Sequence, residues 1–154
     1  MRIYLASPFF NTKETLCMEQ VLRVLRNSGY DVFAPYEFKV PDAWNLPNDE
    51  WGKIIFKEDV KEIEKADVVV AINHGLRSDS GTAFEIGYSY SLGKKVFVVY
   101  FENNIDSLMI NNAIYGAINF KDFLNNEKID LKDYEGIMSN NEQKWILKNK
   151  NRGS

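Results

Sequence analysis

Hydrophobic and polar positions along the chain change their period several times, and each change marks an element. "RIYLA" at 2–6 is a short apolar-rich run stopped by Ser7-Pro8, which predicts a first strand. From 13 to 29, Leu16, Val21, Leu22 and Leu25 recur at helical spacing, and Gly29 supplies a stop signal. "YDVFAP" at 30–35 predicts a second short strand ended by Pro35. Between Glu37 and Asn48, Pro41 and Pro47 interrupt any period and predict an irregular loop. "DEWGKIIFKEDVKEIEKA" at 49–66 returns to helical spacing. "DVVVAIN" at 67–73 is a continuous β-branched run, the pattern of a buried parallel strand. "RSDSGTAFEIGYSYSLGKK" at 77–95 reads as a loop entering a helix that is apolar almost all round and is expected to be buried. "KKVFVVYF" at 94–101 predicts another strand, "DSLMINNAIYGAI" at 106–118 a helix, and "INF" at 118–120 a short strand. From Lys121 the chain is charged and Asn-rich, with weak helical periodicity.

Strands alternating with helices predict a doubly wound α/β fold: a mostly parallel five-stranded sheet, Rossmann- or flavodoxin-like, with helices on both faces. Residues 1–120 form the predicted domain. Residues 121–154 are expected to be a C-terminal extension that packs on it or on a neighbouring subunit. In such sheets ligands bind beyond the carboxyl ends of the strands. The loops to watch are therefore "SPFFN" at 7–11, "PYEFK" at 35–39 and "HGLRSDSG" at 74–81.

Composition narrows the chemistry. A net charge of −3 over 154 residues argues against a general nucleic-acid binder. Cys17 is the only cysteine, which excludes an intrachain disulfide framework and a Cys-rich zinc site. His74 is the only histidine and reads as a solvated loop residue. No apolar run reaches membrane-spanning length and no signal-peptide pattern opens the chain, so a cytoplasmic setting is expected. "GTAFEIG" is not a dinucleotide fingerprint, and no Walker A sequence is present.

Three carboxylates stand out. Glu85 lies in the nearly all-apolar 82–92 segment, where an acid is costly unless paired or hydrogen-bonded. "TAFE" at 82–85 also fits a capping box, in which Glu85 would bond back to the helix start. The other reading is a nucleophile held ionised near a helix N-terminus, as attack on an anomeric carbon requires. At about 100° per residue, Asp59 falls inside the apolar arc of its helix, between Ala66 and Ile63, while Glu58, Glu62 and Glu64 can be solvated. A buried structural hydrogen bond and a place in a composite site are both open for it. Asp79, in a Ser-Asp-Ser-Gly loop, is either a turn or N-cap acid or an acceptor for a substrate hydroxyl. Tyr4, two residues after Arg2 on the first strand, reads first as core.

Four blocks, "IYLASPFF" at 3–10, "FKEDVKEIEKADVVVA" at 56–71, "DSGTAFEIGYSYSLGKKV" at 79–96 and "SLMINNA" at 107–113, together resemble the nucleoside 2-deoxyribosyltransferase family. The resemblance implies Glu85 as nucleophile, Asp59 as an acid beside it, Tyr4 as the residue orienting it and Asp79 as the 5′-hydroxyl acceptor. Ser7, Phe9, Glu37 and Gly81 then belong to the substrate-binding loops. Ser107 and Met109 would be contributed across a homo-oligomer with shared sites. The implied reaction moves 2-deoxyribose between nucleobases through a covalent glutamyl intermediate with retention at C1′. It needs no metal or cofactor, and its partners are a small deoxynucleoside and a free base, not nucleic acid or membrane. The alternatives are an N-glycosidase of 2′-deoxynucleosides or their 5′-monophosphates, and a non-enzymatic nucleotide-sensing domain. Ser107 stands where the family usually has Asn, which hints at a 5′-phosphate, whereas the Asp79 carboxylate opposes one. Phe38 and Lys39 replace an Asn-Gln pair of some members, which leaves base preference open.

Overall fold

A computed structural model describes residues 1–75, 78–101 and 107–137. Five strands, β1 (Arg2–Ala6), β2 (Asp31–Phe33), β3 (Val68–Asn73), β4 (Lys95–Tyr100) and β5 (Gly116–Asn119), form one sheet. Every pairing is parallel, in the order β2-β1-β3-β4-β5. Parallel neighbours need crossovers, and the helices supply them: α1 (Thr12–Asn27), α2 (Asn48–Lys65), α3 (Ser80–Ser91) and α4 (Leu108–Ala113), with α5 (Phe120–Leu124) after β5. This is the doubly wound architecture that the alternating pattern predicts. Strand order reverses between β1 and β3, so a crevice opens at the carboxyl ends of those strands.

The strands are buried on both faces, and alternation divides their side chains between two cores. Ile3, Leu5, Val70, Ile72, Phe97 and Val99 face α1 and α5, where Met18, Val21, Leu25 and Phe123 meet them. Tyr4, Ala6, Val69, Ala71, Val96 and Val98 pack on the opposite side with Ile63, Ile86 and Ile110. That second set places Tyr4 under the helices that carry the candidate acids. Residues beyond α5 also join the first core. Ile129 and Leu131 are buried there, and their N–H groups donate to Ser28 Oγ (2.8 Å) and Tyr30 Oη (3.1 Å). Residues 138–154, the rest of the expected extension, lie outside the described residues.

Helix α1 stops where Gly29 takes φ +89°, a conformation that only glycine adopts freely. Four expectations change. The 37–48 loop is not wholly irregular: 3₁₀ turns occupy Pro35–Glu37 and Ala43–Asn45. Helix α3 is not enclosed all round, because Phe84, Tyr90 and Leu92 are exposed while Thr82, Ile86 and Ser89 face inward. Glu62 is buried rather than solvated, since the Arg2 guanidinium and Lys65 hold it. His74 is half-buried, with its ring stacked on Phe101 at 4.7 Å; burial lowers its pKa.

Candidate active site

A cavity of about 700 Å³ opens at the carboxyl ends of β1 and β2, against α2 and the start of α3. Ser7 and Phe9 reach it from the β1 loop, and Tyr36, Phe38 and Lys39 from the β2 loop. Asp59 from α2, and Asp79, Gly81 and Glu85 from the α3 entrance, complete the acidic part.

The ambiguity over Glu85 resolves at the start of α3. Asp79 is the N-cap: its Oδ2 accepts from the Thr82 N–H at 2.9 Å and lies 3.2 Å from the Thr82 hydroxyl. The donor that a capping box would assign to Glu85 is therefore already taken. Glu85 lies one turn further on, past the first turn where the helix dipole acts most strongly. It turns toward the sheet, where the buried Tyr4 hydroxyl donates to its Oε2.

Tyr4 is fully buried and its ring stacks on Phe33 at 5.8 Å, which fixes the phenol in place. Burial, followed by the charges of Glu85 and Asp59, pushes its pKa far above the ordinary tyrosine value. It stays protonated and always has a proton to donate. A phenol has only one O–H, and Glu85 receives it. Tyr4 is close enough to Asp59 to lower that acid's pKa somewhat, yet Asp59 Oδ1 is buried with no hydrogen-bond partner among the described residues.

Both acids are consequently weak. Burial raises Glu85 to about 7, with help from Asp59 and Asp79 and against the opposing effect of the Tyr4 hydrogen bond. Burial, then the neighbouring Glu58, raises Asp59 to about 6. The expectation that the helix start holds Glu85 fully ionised gives way to a carboxyl near its midpoint at neutral pH. Between these values the pair retains about one proton. Glu85, the weaker acid, holds that proton more often than Asp59, and the arrangement with Glu85 ionised on the Tyr4 donor and Asp59 protonated is the one set up to react. One ionised and one protonated carboxyl facing the same cavity can act as nucleophile and acid together.

The other expected site residues fall in different places. Ser7 lines the cavity, and its hydroxyl donates to the Pro8 carbonyl at 3.0 Å. Glu37 does not line it. Arg26 clamps that carboxylate from α1 at 3.0 and 2.5 Å and lowers its pKa. Ser107 and Met109 border a separate cavity with Ala83, Ile86 and Tyr90 on the α3–α4 face; Ser107 Oγ caps α4 by accepting from the Ile110 N–H at 3.2 Å. Sequence reasoning missed Trp44, Asp42 and the lining role of Trp51. The available signal was several aromatics in a Pro-broken loop at a strand's carboxyl end. Among the described residues, no group of three or more His, Cys, Asp or Glu side chains is disposed to hold a metal. No described helix is long and apolar enough to cross a membrane.

Sheet order and a carboxyl-lined crevice define a doubly wound α/β protein with an acidic candidate ligand site at the carboxyl ends of its strands. The nucleoside 2-deoxyribosyltransferase family model matches residues 3–144, and the chain belongs to that family. The structure of a 2-deoxyribosyltransferase from Bacillus psychrosaccharolyticus is similar, with a TM-score of 0.77 and 34% identity, covering 90% of this chain and 98% of that one. A Thermofilum pendens protein, named as a candidate 2′-deoxynucleoside 5′-phosphate N-hydrolase, is 26% identical over 125 residues, 80% of this chain and 82% of that protein. A CMP N-glycosidase from Clostridium botulinum shares the fold at 21% identity, with a TM-score of 0.58 over 81% of this chain and 96% of its own.

Proposed function

We propose that this enzyme transfers 2-deoxyribose from one nucleobase to another through a covalent deoxyribosyl-Glu85 intermediate. The observation that carries the reading is the Tyr4–Glu85 hydrogen bond on the wall of a cavity that also holds Asp59. Ionised Glu85 attacks C1′ on the face opposite the base, and the C1′–N bond breaks through an oxocarbenium-like state. Asp59 gives its proton to the departing base, and Asp79 accepts from the 5′-hydroxyl. An incoming base then attacks C1′, expels Glu85 and returns its own proton to Asp59. Two inversions give net retention. Tyr4 is a positioning residue: it fixes the Glu85 carboxylate and stabilises its charge.

A second reading is hydrolysis, with water in place of the second base, supported by the name of the Thermofilum pendens relative. A 5′-monophosphate is disfavoured, because its charge would meet the Asp79 carboxylate. Deoxyinosine incubated with and without adenine separates the readings. Deoxyadenosine formed only with adenine supports transfer, and equal release of free sugar in both tubes supports hydrolysis. A chain that binds deoxynucleosides without turning them over, with Glu85→Ala behaving like wild type, would be a sensing domain instead.

The enzyme is further proposed to work as a homo-oligomer. Exposed Tyr90 on α3 and Leu108 and Met109 on α4 give this face the apolar character of an interface. Burial of that face between copies would bring Ser107 and Met109 toward a neighbour's site. Light scattering checks this: wild type should exceed the monomer mass, and Met109→Lys should lower the mass without unfolding the chain.

A further inference from the structure

The wall of the cavity away from the acids carries its own chemistry. Phe9 meets Tyr36 edge to face at 5.5 Å, and the Lys39 ammonium lies over the Tyr36 ring at 5.5 Å from its centroid. Lys39 is exposed, and the Tyr36 ring biases its ammonium toward the cavity mouth. Aromatic rings supply a surface for the flat face of a base, and polar side chains must read its edge.

The nitrogen groups among the lining side chains are Lys39 and the indoles of Trp44 and Trp51. All three donate and none accepts. An exocyclic amino group presents donors to donors there, whereas an exocyclic carbonyl finds partners. A second argument concerns the reaction. As the C1′–N bond breaks, electrons flow into the departing base, and a carbonyl oxygen on its far edge gathers negative charge. An ammonium at that edge stabilises the charge as it develops. Asp42 also lines the cavity and pulls the other way, since a carboxylate accepts from amino groups. Both side chains are exposed, but Lys39 has the Tyr36 ring to steady it at the cavity and Asp42 has no partner among the described residues.

We infer that Lys39 makes this enzyme selective for bases with a carbonyl on the edge remote from the sugar, the 4-oxopyrimidines and 6-oxopurines, over their amino counterparts. The inference rests on the deoxyribosyl-transfer reading above. Matched substrate pairs test it: kcat/KM for deoxyuridine against deoxycytidine, and for deoxyinosine against deoxyadenosine, in wild type, Lys39→Met and Lys39→Gln. A charge-assisted hydrogen bond supports an oxo preference on the order of 10- to 100-fold in both pairs for wild type. Lys39→Met should bring both ratios to within about threefold, and Lys39→Gln, which restores a donor without charge, should fall between. A wild-type ratio near one or favouring the amino base in either pair, or ratios unchanged in Lys39→Met, overturns the role of Lys39 and leaves the transfer reading standing. Absence of turnover of all four substrates by wild type overturns the transfer reading itself, and this inference with it.

Discussion

Glu85 should cost the fold stability at neutral pH, and replacing it with Gln should make the protein more stable. The carboxyl is half-buried and its pKa rises from an ordinary 4.5 to about 7. Below pH 4.5 it is neutral in both the folded and unfolded chain and adds no pH dependence. As pH rises toward 7, the unfolded chain releases this proton while the folded chain keeps it, so stability falls with pH. Above 7 the penalty is complete. A tenfold change in proton affinity is worth about 1.4 kcal/mol, so the rise from 4.5 to about 7 corresponds to about 3 kcal/mol. Gln is nearly isosteric, cannot ionise, and keeps a carbonyl that can accept from Tyr4. For a chain of this size, about 3 kcal/mol is roughly 6–12 °C in melting temperature. Wild type and Glu85→Gln should be melted at pH 4.5 and pH 8. The variant should melt close to wild type at the lower pH and well above it at the higher. Equal gaps at both pH values, or a variant less stable than wild type at pH 8, would refute the claim that Glu85 is a strained buried acid.

Activity should follow a bell with limbs near pH 6 and 7, from the raised values of Asp59 and Glu85. Below the bell Glu85 is protonated and cannot attack; above it Asp59 has no proton to give. A profile of kcat/KM against pH measures both limbs. Tyr4→Phe removes the hydrogen bond to Glu85 and should lower kcat/KM by about 10- to 100-fold. It should also move the acid limb to higher pH, because the carboxylate loses its donor; a lower rate with an unmoved limb would mean that Tyr4 only packs. Asp59→Asn should slow poor leaving groups more than activated ones, so rates with nucleosides of graded leaving-group acidity test its proton. Gly116→Ala should destabilise by about 1–3 kcal/mol, since a Cβ there would meet the Tyr134 carbonyl well inside van der Waals contact. Denaturant unfolding reads that loss.

Much of the architecture is legible because it rests on local signals. The β-branched 67–73 run and the helical spacings before and after it define parallel crossovers without reference to tertiary structure. Asp59 stands out by its angle on α2, and the Ser-Asp-Ser-Gly loop offers Asp79 as a turn or cap acid or as a hydroxyl acceptor, of which the structure shows the cap. What could not be read required knowing which side chains meet across the fold. Glu62 looks like any surface helix acid until Arg2 of β1 lies beside it. Glu37 sits in a strand-end loop suited to ligand binding, yet the Arg26 guanidinium from α1 claims it first. Helix α3 is apolar almost all round in sequence, yet Phe84 and Tyr90 stay exposed even with Phe56 of α2 beside Phe84, because burial depends on how much of each ring a neighbour covers. Tyr4 read as core, and it is core: it reaches the site by donating from beneath to Glu85.

The central claim is that Glu85 becomes covalently bonded to the sugar. Intact-mass analysis of enzyme quenched in acid after mixing with deoxyinosine, without an acceptor base, tests it directly. Wild type should gain the mass of one deoxyribosyl group, located by peptide mapping to the segment containing Glu85, and should lose it when adenine is added. Glu85→Ala should gain nothing. A sugar mapped to another residue, or steady base exchange without any trapped adduct and with inversion at C1′, would contradict the account.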